Sequence, residues 1–211
     1  MKLSKITFAT ASLVAASAAN AVILTPGAFT DLPGTVTPGG TVIEDVDQSF
    51  SFAAYGGTVS GFVQNRVVRK GDGTLFFAWR MFNDAASSGN IQDLRLGNFI
   101  SSVYDGDWDP SSPGDISPPK AFLFNGTGGD VNFNFNKTTF PGGVAPGQSS
   151  NFFYLNTGAT LYGQVAQYDL TNMGQTEISG EYATFAPVPE PATFAVVGIG
   201  ILALTRRKRK S

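Results

Sequence analysis

Cysteine and histidine are both missing from this sequence of 211 residues. Without them the chain cannot build a Ser-His-Asp or Cys-His nucleophilic site. It also cannot build a zinc site from thiolate or imidazole ligands, and no disulfide can form within it. These absences exclude the commonest hydrolase chemistries, so carboxylates and lysines are the main side chains left for acid-base or metal chemistry.

Charge is also scarce, and it is unevenly distributed. Charged residues make up 14% of the chain, against about 25% in an average globular protein. Between residues 22 and 187 there are seven basic and fifteen acidic residues, which leaves a net charge of about −8. Nucleic-acid binding needs a basic surface. We therefore expect no nucleic-acid partner.

The N-terminal residues 1–21 have the three regions of a secretory signal peptide. Two lysines precede an apolar run over residues 6–18, and Ala19 and Ala21 occupy the small positions of an A-x-A cleavage site. This order predicts an N-terminal signal helix that is removed on export, so that the mature chain begins at Val22.

The C-terminal residues 187–211 also have three parts. Pro189, Glu190 and Pro191 come first, and an apolar stretch over residues 192–204 follows. A basic cluster then closes the chain: Arg206, Arg207, Lys208, Arg209 and Lys210. Proline keeps the backbone out of a helix, and a basic cluster next to an apolar segment stops transfer at the cytoplasmic side. The whole tail resembles the PEP-CTERM sorting signal of Gram-negative bacteria.

This resemblance implies that the secretion machinery exports the chain and that exosortase then processes it at the PEP segment. The chain would be the substrate of an enzyme and not an enzyme itself. As a transmembrane-like helix, residues 192–204 span about 20 Å, while a bilayer core is about 30 Å thick. That length suits a transient inner-membrane anchor. The resemblance further implies a surface or extracellular location near exopolysaccharide. The alternative is a plain C-terminal anchor that is never processed.

Residues 22–186 have the pattern of an all-β domain. Asp72-Gly73 lies between two strand-like runs and predicts a hairpin. Both faces of residues 75–82 are apolar, which predicts a central strand. Residues 131–136 alternate strictly between apolar residues and Asn, which predicts that Val131, Phe133 and Phe135 point inward and the three asparagines outward. No stretch has sustained helical periodicity. We expect eight to ten strands in an antiparallel β-sandwich or jelly-roll-like fold.

Two small sets of side chains are candidate ligand sites. Asp105, Asp107 and Asp109 alternate along the chain, and Ca²⁺ prefers six to eight oxygen ligands in flexible geometry. The competing interpretation is a solvated acidic loop without metal. Tyr104 and Trp108 lie in the same segment and are the aromatic candidates for stacking against a glycan.

Three functions remain open from the sequence. The first is a structural or matrix component associated with exopolysaccharide in a biofilm, without a cofactor. The second is a module that binds extracellular polysaccharide, assisted by calcium. The third is a secreted hydrolase that uses carboxylates, but among fifteen acidic residues some pair falls at the required separation by chance. A further acidic cluster at Glu44, Asp45 and Asp47 is interpreted as a polar strand edge.

Overall fold

The computed structural model describes residues 21–136 and 142–188, and in this part of the chain all the regular elements are β-strands. The strands are β1 (Val22–Ile23), β2 (Phe29–Asp31), β3 (Thr41–Ala54), β4 (Gly57–Arg69), β5 (Leu75–Asn83), β6 (Ile91–Gly97), β7 (Asp105–Trp108), β8 (Lys120–Leu123), β9 (Val131–Asn134), β10 (Phe153–Asn156), β11 (Tyr162–Asn172) and β12 (Tyr182–Pro187). The two terminal helices expected from the sequence lie outside the described residues.

The strands form two six-stranded sheets. Sheet A has the order β1-β7-β10-β5-β4-β3, and sheet B has the order β12-β11-β6-β9-β8-β2. Neighbouring strands in both sheets run antiparallel. One apolar core lies between the sheets. The predicted β-sandwich is therefore confirmed.

Aromatic rings from both sheets meet in the centre of this core. Trp79 of β5 is 1% exposed and packs edge-to-face on Phe99, with ring centroids 5.8 Å apart. Phe133 of β9 lies 4.7 Å from Phe153 of β10, so sheet B touches sheet A directly. Burying side chains of this size supplies most of the free energy that holds two sheets together.

The hairpin predicted at Asp72-Gly73 is confirmed. Gly73 adopts a φ of +86°, and Asp72 Oδ1 accepts hydrogen bonds from the backbone N–H and the hydroxyl of Thr74. The strand that follows, β5, lies between β10 and β4. It is therefore central in sheet A, as its two apolar faces indicated.

Other expectations need correction. Val131, Phe133 and Phe135 point into the core as predicted, but Asn132 and Asn134 on the opposite face are also buried. Residues 21–136 and 142–188 form twelve strands, where eight to ten were expected. The acidic segment interpreted as a loop is strand β7, which pairs with both β1 and β10. Its Gly and Asp residues have low β propensity, so long-range pairing overrides the local preference.

The acidic cluster at the start of the domain is on the edge of sheet A, as predicted. Glu44, Asp45 and Asp47 belong to β3, which is the last strand in the sheet order. Asp45 pairs with Arg66 of β4 at 2.7 Å. Charged side chains on an edge strand discourage pairing with another chain.

Candidate functional site

Strand β12, the last of the described strands in the sequence, runs directly up to the sorting segment. Pro187 of β12 pairs with Tyr162, and the backbone N–H of Val188 donates to the carbonyl of Leu161 at 3.1 Å. The side chains of Val188 and Val165 both approach Gly163. The folded domain therefore extends to the residue before Pro189.

The remaining sorting residues cannot be placed in the structure. Pro189, Glu190, Pro191 and the basic cluster 206–210 lie outside the described residues, as does Ala19. Ala21 is described: it is 8% exposed and packs in an apolar cluster on the outer face of sheet A. Val22 then pairs with Gly106 of β7. Cleavage after Ala21 stays a prediction, and it would leave β1 within the mature chain.

Asp107 is the most buried of the three candidate calcium ligands. Its carboxylate Oδ1 accepts hydrogen bonds from the backbone N–H of Gly34 at 2.8 Å and from that of Trp108 at 2.9 Å. Its Oδ2 has no hydrogen-bond partner among the described residues. The Asp107 side chain thus fixes the segment around Gly34 against sheet A, while its own Oδ2 stays without a hydrogen bond.

Asp105 and Asp109 have different surroundings. Asp105 lies on the same face of β7 as Asp107, and its Oδ2 accepts a hydrogen bond from Asn156 at 3.3 Å. Burial raises the pKa of the Asp105 carboxyl above its ordinary value. Asp109 lies past the end of β7, where its Oδ1 accepts hydrogen bonds from the N–H and hydroxyl of Ser111. This local bonding is typical of a turn.

Across residues 21–136 and 142–188, no three carboxylates gather into a group that could hold a metal ion. The three aspartates of the β7 segment are no exception, so the structure supplies no assembled calcium cage there. Calcium binding at these positions stays a prediction.

The aromatic candidates Tyr104 and Trp108 are both partly buried against the core. The Trp108 indole N–H donates to the carbonyl of Leu32 at 3.1 Å, and the Tyr104 hydroxyl donates to the carbonyl of Phe99 at 3.0 Å. Both side chains therefore hold neighbouring loops to the sandwich. Glycan stacking on Tyr104 and Trp108 stays a prediction.

A different concave surface, which sequence reasoning missed, lies on the outer face of sheet B. It is a pocket of about 230 Å³. Arg95 and Asp169 form a bidentate pair in it, with Nε–Oδ1 and Nη2–Oδ2 distances of 2.6 and 2.7 Å. Asp130, Glu181 and Phe124 also line it. These residues are far apart in sequence, so no local motif could have identified the pocket.

An aromatic row continues from this pocket across sheet B. Phe124 is 46% exposed and packs edge-to-face on Phe122 at 4.8 Å, and Phe122 packs in the same way on Phe29 at 5.0 Å. The Lys120 ammonium lies 4.3 Å from the centroid of the Phe29 ring. The only sequence signal was the alternation of Phe122 and Phe124 with two core residues. Alternation alone does not say which face stays open to solvent.

Together these observations define a class: an all-β domain joined without a linker to a C-terminal sorting segment. The model of the PEP-CTERM protein-sorting motif matches residues 187–210. The chain therefore carries a PEP-CTERM sorting motif at these residues, and this motif supports export and processing by exosortase. No curated protein and no solved structure matches the chain. Within the described ranges, no helix is long and apolar enough to cross a membrane.

Proposed function

We infer that this chain is a non-catalytic component of the bacterial surface or extracellular matrix. Exosortase would cut it at the PEP segment and so release it from a transient anchor in the inner membrane. The observation that carries this proposal is the continuity of β12 with the motif. Val188 is still hydrogen-bonded to Leu161 in the sheet, and the matched motif begins at residue 187.

A matrix role is supported by the character of the folded domain. The domain is a single sandwich with one continuous core and an excess of acidic residues, which keep an exported protein soluble and discourage self-association. Its long edge strand β3 carries charged residues that oppose strand addition. Such a domain can persist among polysaccharide chains outside the cell, where we place it near exopolysaccharide and biofilm.

A non-catalytic role without a resident cofactor is supported by the chemistry of the side chains. The sequence offers no histidine or cysteine for nucleophilic or acid-base work. The most buried carboxylate of the β7 segment, Asp107, accepts two backbone hydrogen bonds and thereby fixes a loop. Its position is that of a structural group.

The processing step is tested by intact mass and cell fractionation. The extracellular form should lack residues 1–21 and the tail beyond roughly Pro189–Pro191. Deleting Pro189–Pro191 should leave the chain in the inner membrane. A control replaces the exposed loop residues Asn125 and Thr127 with alanine and keeps Gly126, whose φ is +155°. This variant should be exported and processed as the parent is.

Two results would contradict the proposal. One is recovery of the full-length tail in the surface fraction. The other is normal release of the chain that lacks Pro189–Pro191. Either would favour a permanent C-terminal anchor over a processed one.

A further inference from the structure

The pocket on the outer face of sheet B combines the features that a sugar-binding site needs. Ligand sites are concave and place a few polar groups beside an apolar wall. Here Phe124 supplies an exposed ring, and the planar side chains of Arg95, Asp169 and Gln167 supply hydrogen-bonding groups on the same face. A sugar ring has an apolar face and a polar edge, so this arrangement matches it.

The size of the pocket favours a short part of a longer chain. Its volume of about 230 Å³ is below the roughly 300–1,000 Å³ of sites that enclose drug-sized ligands. It therefore suits about one sugar unit. The aromatic row from Phe124 through Phe122 to Phe29 gives further units a surface to lie on. This combination of one pocket and an adjoining row fits a polymer better than a free monosaccharide.

The charges of the pocket indicate which sugars it prefers. Arg95 and Asp169 neutralise each other in their bidentate pair. Asp130 and Glu181 also line the pocket, and neither has a basic partner within 4 Å among the described residues. Two uncompensated carboxylates attract a cation and repel another carboxylate. The net negative charge of the domain acts in the same direction.

The geometry points to the outer face of sheet B as a binding site for a polysaccharide that contains unacetylated amino sugars. The sugar ring stacks on Phe124, and its ammonium group lies near Asp130 and Glu181. This inference rests on the proposed function only in its assumption of an extracellular location, where the protein is exposed to such polymers.

Gly97 offers a way to block the pocket without disturbing the fold. A Cβ at Gly97 would lie 3.5 Å from Gln167 Cγ and 3.7 Å from Asp130 Oδ1, which are ordinary contact distances. Gly97→Ala should therefore fold normally. Larger side chains at the same position project further into the pocket, so Gly97→Leu should reduce binding more than Gly97→Ala does.

The test is a binding titration with the full-length chain in detergent, so that its outcome does not depend on processing. The probes are oligosaccharides of glucosamine, of N-acetylglucosamine and of a uronic acid. We expect the glucosamine probe to bind most tightly and the uronic acid probe most weakly. The double variant Asp130→Asn/Glu181→Gln should lose about three- to tenfold in affinity for glucosamine, from two exposed charge contacts.

The controls separate stacking from charge. Phe124→Ala should weaken the binding of both the glucosamine and the N-acetylglucosamine probe. Asp47→Asn and Ile178→Ala, at exposed positions outside the pocket, should change neither affinity. Equal binding of the uronic acid probe, equal binding of the acetylated probe, or unchanged glucosamine affinity in the double variant would each overturn the proposal. Absence of binding to all three probes would overturn it as well.

Discussion

The indole N–H of Trp79 in sheet A donates to the hydroxyl of Thr184 in sheet B at 2.8 Å. The same hydroxyl donates to Asn65 Oδ1 at 2.9 Å. All three residues are buried, so one hydroxyl satisfies two polar groups from the opposite sheet. This network fixes the relative position of the two sheets more specifically than apolar contact can.

Replacing Thr184 with Val should destabilise the domain. Valine keeps the shape of threonine but leaves the Trp79 N–H and Asn65 Oδ1 without partners, each at a cost of about 1–3 kcal/mol. Thr184→Ser keeps the hydroxyl and should retain more of the stability. Urea unfolding of the three proteins measures the difference. Equal stability of the valine variant and the parent would mean that the network contributes little.

The sequence predicted the parts of the fold that local patterns specify. The Asp72-Gly73 hairpin and central strand β5 depend on turn chemistry and alternation within about fifteen residues. Strand β7 was missed because partners that are distant in the sequence stabilise it. Its neighbour β10 follows it by more than forty residues, and Gly34, which donates a hydrogen bond to Asp107, precedes it by more than seventy. The pocket of sheet B was missed for the same reason.

Gly34 should tolerate no side chain. It has a φ of +61°, and a Cβ there would lie 2.1 Å from the Trp108 ring. Gly56 is a matched control, because its φ is +71° but nothing lies within 4 Å of the corresponding Cβ. We expect Gly56→Ala to cost about 1–2 kcal/mol for backbone strain alone.

Gly34→Ala should cost about 1–3 kcal/mol more than this control, because the clash overpacks the Trp108 contact. Urea unfolding gives the stabilities, and tryptophan fluorescence reports the displaced indole. If the two alanine variants were equally stable, the segment at Gly34 would not be held against β7 as described.

Asp105→Asn should stabilise the domain at neutral pH. Burial raises the pKa of Asp105 in the folded state, so the ionised carboxylate is disfavoured there relative to the unfolded chain. The asparagine carbonyl can still accept the hydrogen bond from Asn156. The penalty in the parent is full above the raised folded pKa and disappears as the pH falls to the ordinary value of 3.8.

The stability advantage of Asp105→Asn should therefore shrink as the pH is lowered from neutrality towards that value. Urea unfolding at several pH values measures it, with Asp47→Asn on the exposed edge of β3 as the control. An advantage that grew on acidification would contradict the assigned direction of the pKa shift.

The tail-bearing form should hold one end of the sandwich close to the membrane. Only Pro189, Glu190 and Pro191 separate Val188 from the apolar stretch, and three extended residues span at most about 11 Å. The chain has no cysteine, so a fluorophore can be attached at one engineered position. The two labelling variants are Leu161→Cys and Ala86→Cys. Leu161 lies beside Val188, and Ala86 lies in the loop between β5 and β6 at the other end of the sandwich.

In vesicles whose headgroups carry a quencher, the label at position 161 should be quenched more strongly than the label at position 86. The eleven residues of β11 alone are about 36 Å long, which places the second label far from the lipid. Equal quenching of the two labels would show that the domain is not held by this end.

The hydrogen bond between Val188 and Leu161 has a consequence for the released product. A cut just beyond this hydrogen bond would leave the new C-terminus bound at the edge of sheet B, and not at the end of a flexible segment. A group that the cell then attached to that C-terminus would have a fixed orientation relative to the β-sandwich. The cut would thus create a rigid attachment point, and sheet B would set the orientation of each attached domain.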